Sequence, residues 1–455
     1  MSEGDMSSDN GLGREPKNQP YDEIHNDEFE HTDDKLSAAG ADRGRKPQLV
    51  PGRSGTRMYS IAALAERIQA AFIEEYGQDS PLLREADTSA KRLKLILGTV
   101  DYVVAVESVQ LSSEEKAELI RRVYSDLFSY GPLDDLFLDD RVTTIAIKGA
   151  DQVSVRYGHG DLVRVGPLFE DEDQLRRVIT RLLIDAGAEL RDDVPFVETG
   201  LYVEDRPVSM SVITPSAAFL LNADLRLHPR QAPTRDDLVT AGFMSADAAA
   251  LLRSLVASKY GFVIVGDTEA GKTTLLNALA QLIPEPERMI TVERARELRL
   301  PDASEQLMVG WPVGDQPGVG FGEQIENALA KDPTCLLLDE VRSDEPEAIA
   351  PLLNCDDPPR QIWVVRGAPD AKRLQSAMGM LARRAEVGRG EDLVHALYER
   401  LPFVITTARI KDRLQLFSVA EWQSRVDTDY PDYVMLMRYE AGEARPTGAP
   451  LARWL

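Results

Sequence analysis

The stretch FVIVGDTEAGKTTLLNALA, residues 262–280, constrains the fold more than any other part of the chain. Residues 266–273 fit the pattern G-x-x-x-x-G-K-[ST], directly after an apolar strand pattern and before a helical one. Backbone N–H groups of such a loop, together with the helix N-terminus, surround phosphate groups. The residues predicted to bind nucleotide are Gly266, Asp267, Thr268, Glu269, Ala270, Gly271, Lys272, Thr273 and Thr274.

Four side chains in and beyond this loop carry specific expectations. Lys272 would reach the β- and γ-phosphates, and the Thr273 hydroxyl would ligate Mg²⁺. Further along the chain, the apolar run TCLLLDE ends in Asp339 and Glu340. One carboxylate at the end of such a strand can hold Mg²⁺, and the other can polarise water for attack on the γ-phosphate. We therefore predict Thr273 and Asp339 as metal ligands and Glu340 as a catalytic residue.

Strand and helix patterns alternate through the C-terminal half of the chain. The apolar runs FVIV, RMITVE, TCLLLDE and QIWVVRG are separated by runs that predict helices, such as FGEQIENALAKD, EPEAIAPLLN and DAKRLQSAMGMLARRA. This alternation predicts an α/β fold with a mainly parallel sheet that helices cover on both faces. We assign residues 236–455 to this domain.

The N-terminal half has a different organisation. Residues 1–56 are rich in acidic and small polar residues, so we expect a disordered acidic tail. Amphipathic runs over 57–135, one of which opens with the capping-box pattern SSEE, predict a helical bundle. Alternating apolar residues in VTTIAI and VSVRY predict a strand pair, and DEDQLRRVITRLLIDAG predicts an amphipathic helix with acids in its first turn. With the strand patterns that follow, these predict a smaller α+β domain over 136–228. The proline-containing segment 229–235 is the candidate linker.

Composition argues against several classes of function, although a local basic patch could still exist. The formal net charge is −24, which argues against direct nucleic-acid binding because such proteins carry a basic face. The two cysteines, Cys335 and Cys355, suit a reducing cytoplasm. No apolar run reaches the roughly 18 residues that a membrane span needs. The polar N-terminus is unlike a signal peptide. We expect a soluble cytoplasmic protein that meets the membrane only through partners.

Beyond the loop, the sequence resembles the secretion ATPase superfamily of type II and type IV secretion motors, and especially the ATPases of tight-adherence pilus assembly. The resemblance covers residues 112–425. YGPLDDLFLDDRVTTIAIKGADQVSVRYGHGDLVRV is similar to the entry of the family's N-terminal domain. TRDDLVTAGF, the phosphate loop and ERMITVERARELRL are similar to its core, and ENALAKDPTCLLLDEVRSDEPEA is similar to its Walker B region.

The resemblance implies a RecA-like P-loop NTPase core that uses ATP and Mg²⁺. It implies a hexamer, homomeric or mixed, at the inner face of the cell membrane. Such a ring would power or regulate export or assembly of pilus-like subunits through inner-membrane platform proteins. The family's acidic box, typically Ile-Glu-Asp, is Val292-Glu293-Arg294 here. Glu293 is therefore kept, and we predict it as a second catalytic residue.

The departures from the family cluster in the predicted site. Where the family's loop usually carries Gly-Thr-Gly-Ser, this chain has Asp-Thr-Glu-Ala, so Glu269 brings negative charge towards the phosphates. Like charges about 4 Å apart cost roughly 1 kcal/mol in water and several times more when partly buried. A carboxylate at a solvated loop tip would avoid that cost. The family's Thr-Gly-His…Thr-x-His box is absent from CDDPPRQIWVVRG, since all five histidines lie elsewhere.

Arginines that the family carries in its N-terminal domain and near Asn-Ala-Leu are also fewer here, because VETGL and NALAKDP lack them. Arg191, Arg206 and Arg226 are candidates for positive contacts across subunits, although ordinary surface positions are the simpler interpretation. Loss of one arginine that contacts the transferring phosphoryl group can cost orders of magnitude in rate while nucleotide binding persists. Binding and hydrolysis are therefore separate questions for this chain.

Two functions stay open. An active secretion or pilus ATPase is supported by the presence of Lys272, Thr273, Glu293, Asp339 and Glu340. A hydrolysis-deficient paralogue, which binds nucleotide as a structural or regulatory subunit of a ring, is supported by the departures above. An unrelated P-loop kinase or DNA translocase would leave the N-terminal domain unexplained and fits the acidity poorly.

Overall fold

The computed structural model describes residues 49–50, 59–77, 82, 86, 89–191, 193–284, 287–301, 304–424 and 431–453. The predicted acidic tail, residues 1–56, lies outside these residues except for the short strand Leu49–Val50. The chain forms two compact units, divided between Val123 and Tyr124. Within the described ranges, no helix has the length and apolar character to cross a membrane.

The first unit contains helices that the sequence predicts. Its elements are β1 (Leu49–Val50), β2 (Tyr59–Ser60), α1 (Ile61–Tyr76), α2 (Ser89–Val106) and the first part of α3 (Ser113–Phe128). Ser60 caps α1, since its hydroxyl accepts a hydrogen bond from the Ala63 N–H at 3.1 Å. The capping box of α3 is confirmed: the Ser112 N–H donates to Glu115 Oε2 at 2.8 Å, and the Glu115 N–H donates to Ser112 Oγ at 3.2 Å.

The first part of the second unit contains an antiparallel sheet, here called the small sheet, and two helices. In chain order these elements are α4 (Asp134–Leu138), β3 (Val142–Lys148), β4 (Val153–Tyr157), β5 (Leu162–Arg164), α5 (Glu172–Asp185), β6 (Phe196–Val203), β7 (Arg206–Ile213) and β8 (Asn222–Leu227). The strand order is β5-β4-β3-β8-β7-β6. The apolar side of α5 packs on the sheet through Leu175, Ile179 and Leu182. The predicted β3–β4 pair and the helix with an acidic first turn are both confirmed.

The C-terminal elements build a second sheet, here called the large sheet. They are α6 (Arg235–Thr240), α7 (Ala246–Ala257), β9 (Phe262–Gly266), α8 (Lys272–Ala280), β10 (Met289–Glu293), β11 (Glu305–Met308), α9 (Phe321–Leu329), β12 (Cys335–Val341), α10 (Ala350–Asn354), β13 (Arg360–Arg366), α11 (Ala371–Ala385), α12 (Gly390–Arg400), β14 (Phe403–Ile410), β15 (Arg413–Gln423), β16 (Asp432–Glu440) and β17 (Glu443–Pro446). The strand order is β11-β10-β12-β13-β9-β14-β15-β16-β17.

Strand direction changes partway across the large sheet. The strands from β11 to β14 in this order run parallel, and β15, β16 and β17 extend the sheet in antiparallel fashion. The prediction of a mainly parallel sheet is therefore confirmed, and the molecule is a mixed α/β protein. One local prediction is wrong: EPEAIAPLLN is not a single helix, because the 3₁₀ turn Pro346–Ile349 precedes the short α10.

Helices cover both faces of the large sheet around β9. Phe262 and Ile264 belong to one hydrophobic cluster with α7 and α8. Val263 and Val265 belong to a second cluster with α9, α11 and α12. Because successive side chains of a strand point to opposite faces, the run FVIV is buried on both sides, as a central parallel strand requires.

The two sheets of the second unit contact each other beside the carboxyl ends of the parallel strands. The Tyr202 hydroxyl donates to the Leu298 carbonyl at 3.3 Å, and the Trp311 indole N–H donates to the Glu198 carbonyl at 2.5 Å. A Cβ added to Gly200 would lie 2.5 Å from the backbone nitrogen of Arg296. The small sheet thus approaches the segment after β10 at backbone distance, and Glu198 of the sheet and Glu297 of that segment both line the candidate site.

Candidate functional site

Two glycines allow the loop between β9 and α8 to adopt its shape. A Cβ at Gly266 would lie 2.6 Å from Thr407 Oγ1 and 2.9 Å from the Thr407 carbonyl oxygen. Gly271 caps α8 with φ +86, and a Cβ there would lie 2.9 Å from the Phe243 ring. Only glycine meets both demands without strain. The loop can therefore pack tightly against β14 and still turn into the helix.

The loop presents backbone N–H groups at the start of α8. The Leu275 N–H makes a helical hydrogen bond to the Gly271 carbonyl at 3.0 Å. The first N–H groups of a helix, here those of Lys272, Thr273 and Thr274, have no partner within the helix. Such groups, with the positive end of the helix dipole, attract anions.

Lys272 closes back on its own loop. Its side chain is buried, and its Nζ donates to the Asp267 carbonyl at 3.0 Å. The same Nζ lies 4.0 Å from Glu340 Oε2. Burial lowers the pKa of Lys272, whereas the charges of Glu340 and Asp339 oppose that shift and the charge of Arg226 adds to it. The amine is thus held beside the loop by acceptors that a phosphate group could replace.

Thr273 contacts an acid that the sequence analysis did not select. Its hydroxyl donates to Glu297 Oε2 at 3.1 Å, and the other oxygen of Glu297 lies 3.5 Å from His228 Nε2. His228 Nε2 is also 3.0 Å from Ser209 Oγ. Burial alone would raise the pKa of Glu297, but His228, Ser209 and Arg226 together lower it to about 2. Glu297 is therefore a carboxylate, and it connects the loop to the small sheet.

Asp339 lies at the base of the site. Burial raises its pKa well above the ordinary value, and the negative charges of Glu297, Glu293 and Glu340 raise it further, while Lys272 opposes them. A buried carboxyl surrounded by other acids is a place where a cation lowers the free energy.

The donor set around Asp339 is composed of oxygen atoms. Mg²⁺ prefers oxygen ligands, and it is usually held by one or two protein side chains plus water and phosphate oxygens. The predicted pair, Thr273 and Asp339, fits this requirement. Among the described residues, no group of three or more His, Cys, Asp or Glu side chains has metal-binding geometry.

Glu293, the predicted second catalytic acid, is fully buried behind the site. Its Oε1 accepts hydrogen bonds from Thr291 Oγ1 and Gln306 Nε2, both at 3.0 Å. Its Oε2 accepts from the backbone N–H groups of Glu297 at 3.3 Å and Leu298 at 3.1 Å. Burial raises the pKa of Glu293 to about 7, although these donors oppose the shift. Its side chain holds the segment after β10 in place and does not line the cavity. Its catalytic role stays a prediction.

One cavity of about 680 Å³ brings most of the predicted residues together. Asp339, Glu340 and Glu297 line it, with His228 and His159 from the small sheet side. The loop residues on its wall are Thr268, Glu269, Ala270, Gly271, Lys272, Thr273 and Thr274. Asp267 lies outside this cavity and lines a neighbouring one of about 610 Å³. The fold thus places His159 and His228, which are far from the loop in sequence, in the same cavity as the loop.

Arginines form much of the remaining wall of the cavity. They are Arg156, Arg226, Arg294, Arg342, Arg409 and Arg413. Arg294 stands where the family's acidic box has aspartate; its Nε donates to the Glu340 carbonyl at 3.0 Å, and its terminal nitrogens bind Glu345 at 3.1 and 3.0 Å. Arg342 binds Glu198 of the small sheet at 2.5 Å. In the described part of the chain, the guanidinium groups of Arg226 and Arg413 make no hydrogen bond or ion pair.

The three arginines that the sequence analysis selected have different environments. Arg226 lines the cavity, as above. Arg206 is 2% exposed and donates to the carbonyls of Asp139 at 2.8 Å and His228 at 3.1 Å. Its interpretation as a surface arginine is wrong, because its guanidinium satisfies buried backbone acceptors. Arg191 binds Asp193 at 2.9 Å, away from the cavity.

Glu269 is not at a solvated loop tip. It has φ +58, in the left-handed region, and its side chain is 27% exposed. The carboxylate accepts a hydrogen bond from Arg156 of β4, and it lies 3.9 Å from Arg409 of β14. The negative charge is therefore directed at arginines of the cavity wall.

The fold and the site together define a mixed α/β protein with a phosphate-type loop at the carboxyl edge of a parallel sheet. Residues 135–351 match the family described as type II/IV secretion system protein. A putative conjugal transfer protein of Mycobacterium tuberculosis is 31% identical over 251 residues, which cover 54% of this chain and 71% of that protein.

Two further similarities were found. The type IV secretion system protein PtlH of Bordetella pertussis is 41% identical over 97 residues, covering 21% of this chain and 29% of that protein. The solved structure of the Legionella pneumophila ATPase DotB aligns over 68% of this chain and 82% of its own, with 14% identity and a TM-score of 0.46. The chain belongs to the type II/IV secretion system protein family.

Proposed function

We propose that this protein is a secretion- or pilus-assembly-type ATPase that binds Mg-ATP in the cavity described above. As a ring, it would power or regulate the export or assembly of pilus-like subunits. The observation that carries the proposal is the convergence of Lys272, Thr273, Asp339 and Glu340 on one cavity, in a chain that belongs to a secretion family.

A RecA-like P-loop core is part of the proposal. The parallel strands β14-β9-β13-β12-β10 support it, because β13 separates the strand before the phosphate loop from the strand that carries Asp339. In open parallel sheets, ligands bind at the carboxyl edge of the strands. The same edge carries Lys272, Thr273 and Asp339.

The chain's own groups account for phosphate binding. The N–H groups at the start of α8 would hold phosphate oxygens, and Lys272 would exchange the Asp267 carbonyl for a phosphate oxygen. Thr273 and Asp339 would hold Mg²⁺, which neutralises charge on the phosphates when it is bound. Asp339 would ligate the ion as the carboxylate, because that is the form that binds metal.

Two acids can act on the attacking water. Glu340 is 29% exposed and lies 4.0 Å from Lys272 Nζ, so it reaches the phosphate end of the cavity. Glu297 is ionised and contacts Thr273, which places it beside the proposed metal position. A carboxylate within hydrogen-bond reach of the water can orient it or accept its proton. Both carboxyl oxygens of Glu293 accept hydrogen bonds from groups inside the protein, so Glu293 would affect hydrolysis only by positioning Glu297, whose backbone N–H it binds.

The hydrolysis-deficient alternative is favoured by one specific observation. Glu269 occupies Arg156 and Arg409, two of the cavity cations that could stabilise charge on a transferring phosphoryl group. If these arginines stay bound to Glu269 after nucleotide binds, the protein would hold ATP and hydrolyse it slowly. It would then act as a regulatory or structural subunit.

Assembly and location belong to the same proposal. We infer a homomeric or mixed hexamer, inner-membrane platform proteins as partners, and a cytoplasmic position at the inner face of the membrane. The family and its secretion role support these inferences. We propose the domain division 1–56, 57–135, 136–228, 229–235 and 236–455.

The test measures Mg-ATP affinity and phosphate release with the purified full-length protein. Lys272→Ala removes the loop amine, and Lys372→Ala, which removes an exposed lysine of α11, is the matched control. Binding and phosphate release that both depend on Lys272 would establish an ATPase. Lys272-dependent binding without release would establish the alternative. Binding that is indifferent to Lys272, or no binding at all, would refute a nucleotide site here.

A further inference from the structure

Glu269 has an unusual backbone conformation for its residue type. Its φ of +58 lies in the left-handed region, which is unfavourable for a residue with a side chain relative to the right-handed form. Glycine pays no such cost. The loop thus keeps a charged side chain at a position where glycine would be more stable, and the position of the carboxylate shows what the chain gains from it.

The carboxylate of Glu269 lies between cations from two different sheets. A terminal nitrogen of Arg156, on β4 of the small sheet, donates a hydrogen bond to Glu269 Oε2. A terminal nitrogen of Arg409, on β14 of the large sheet, lies 3.9 Å from the same oxygen. Arg409 also donates to the His159 carbonyl at 3.4 Å. The loop is therefore tied to the small sheet by an anion that the loop itself supplies.

Arg156 retains a hydrogen-bonding group for a further acceptor. Its side chain is 15% exposed, and its Nε is buried with no hydrogen-bond partner among the described residues. A buried donor without a partner is unfavourable, so an additional acceptor beside Arg156 would be favoured. Glu269 satisfies one side of this guanidinium and leaves the other unsatisfied.

The ion pair and the phosphate-binding groups share one cavity. Arg156, Arg409 and Glu269 line the same 680 Å³ space as Lys272 and Thr273. Guanidinium groups bind both phosphates and carboxylates through charge-assisted hydrogen bonds. A polyphosphate bound at Lys272 would therefore compete with the Glu269 carboxylate for these two arginines, because both groups are negatively charged.

We propose that Glu269 is an internal competitor for nucleotide phosphate, which occupies Arg156 and Arg409 in the empty cavity and leaves them when a polyphosphate binds. This inference rests on the proposed function and deepens it, because it assigns to Glu269 control of affinity at the same site. Displacement also breaks the tie between the loop and β4, so that nucleotide binding changes how the phosphate loop is held to the small sheet.

The first experiment compares Mg-ATP affinity in the wild-type protein and in Glu269→Gln, by titration calorimetry. The neutral amide removes the competing charge and frees Arg156, and we expect ATP to bind about tenfold more tightly. Asp412→Asn is the matched control, because Asp412 is an exposed acid that also has positive φ, at +62, in the turn between β14 and β15. It removes the same charge from the chain and should leave the affinity unchanged.

A double-mutant cycle then tests whether Arg156 is the group released. Arg156→Ala should weaken ATP binding by about tenfold in the Glu269→Gln background, where the arginine is free to bind phosphate. In the wild-type background Arg156→Ala should reduce the ATP affinity clearly less, because Arg156 must first break its ion pair with Glu269 before it can bind phosphate. Equal losses in the two backgrounds would overturn the inference.

Folding is controlled by a second variant. Glu269→Gly suits φ +58 and should melt at or above the wild-type temperature while it also binds ATP more tightly. Unchanged affinity in both Glu269 variants, or an equal gain in Asp412→Asn, would overturn the inference and leave the proposed function standing if binding still depends on Lys272. If neither the wild-type protein nor the Glu269 variants bind ATP, both the inference and the proposed function fail.

Discussion

Glu293 and Glu297 are four residues apart, yet the structure predicts opposite effects of pH on the two. Burial raises the pKa of Glu293 to about 7, whereas His228, Ser209 and Arg226 lower the pKa of Glu297 to about 2 against the effect of burial. A carboxyl with a raised pKa in the folded protein binds its proton more tightly there than in the unfolded chain. Its contribution to stability therefore falls as pH rises between the two pKa values.

The magnitude for Glu293 follows from the two pKa values. The unfolded chain has a pKa near 4.5 for this group, so the penalty for ionising it develops between about pH 4.5 and pH 7. At roughly 1.4 kcal/mol per pH unit, the wild-type protein should lose about 2.5 kcal/mol of unfolding free energy from pH 5 to pH 8 through this one group. Glu293→Gln cannot ionise, so that part of the pH dependence should disappear.

The assay is urea unfolding of both proteins across pH 5 to 8, and the result is the difference between the two pH profiles. Because other groups titrate in both proteins, this difference isolates Glu293. Parallel profiles would refute the reasoning, since they would mean that Glu293 has the same pKa in the folded and unfolded chain. Glu391→Gln is the matched variant: the hydrogen bond from Arg383 lowers the pKa of this exposed acid, so it titrates below this range and its profile should stay parallel to the wild-type profile.

Glu293→Gln and Glu297→Gln separate the catalytic assignments. Loss of a general base typically costs about 10²–10⁴ in rate, so Glu297→Gln should reduce Lys272-dependent phosphate release by at least about two orders of magnitude if Glu297 acts on the attacking water. Glu293→Gln should reduce it far less, because its side chain does not line the cavity. The reverse order would restore the assignment made from the acidic box.

Three further outcomes are expected. Arg206→Met should lower the unfolding free energy by about 3 kcal/mol or more in a urea titration, because several buried carbonyls lose their donor. Arg191→Ala should leave the urea midpoint nearly unchanged, because the ion pair of Arg191 with Asp193 is at the surface. Gly200→Ala should cost about 1–3 kcal/mol by forcing the small sheet away from the segment after β10, while a Cβ at Gly166 meets open space and Gly166→Ala should cost little. Mg-ATP should bind more tightly as pH rises, because the raised pKa of Asp339 means that a proton competes with Mg²⁺ for this carboxylate; a calorimetric affinity that falls as pH rises would contradict this.

Local patterns predicted the elements of the fold, because hydrogen bonding within a helix and alternation along a strand depend on neighbouring residues. The helix after Ser60, the capping box at Ser112 and the strand before Gly266 are examples. The segment EPEAIAPLLN was predicted wrongly as one helix, since its periodicity does not show that a 3₁₀ turn comes first.

The roles of single side chains depended on the packing of distant segments. In the segment VERAREL, both glutamates are candidates by residue type, and only the turn after β10 buries Glu293 and directs Glu297 to Thr273. The link between Glu297 and Thr273 could have been considered from the sequence, because a second acid follows the first in that segment. Nothing local indicated that His228 would meet Glu297.

The sequence by itself determined that a phosphate loop stands between a buried strand and a helix, because the glycines, Lys272 and the flanking apolar run are contiguous. The tertiary structure alone decided what Glu269 does. Its partners Arg156 and Arg409 lie on two different sheets, far from it along the chain, and they meet it because the small sheet packs against the carboxyl edge of the large one. Ion pairs of this kind depend on distances between packed elements, and such distances leave no pattern in neighbouring residues.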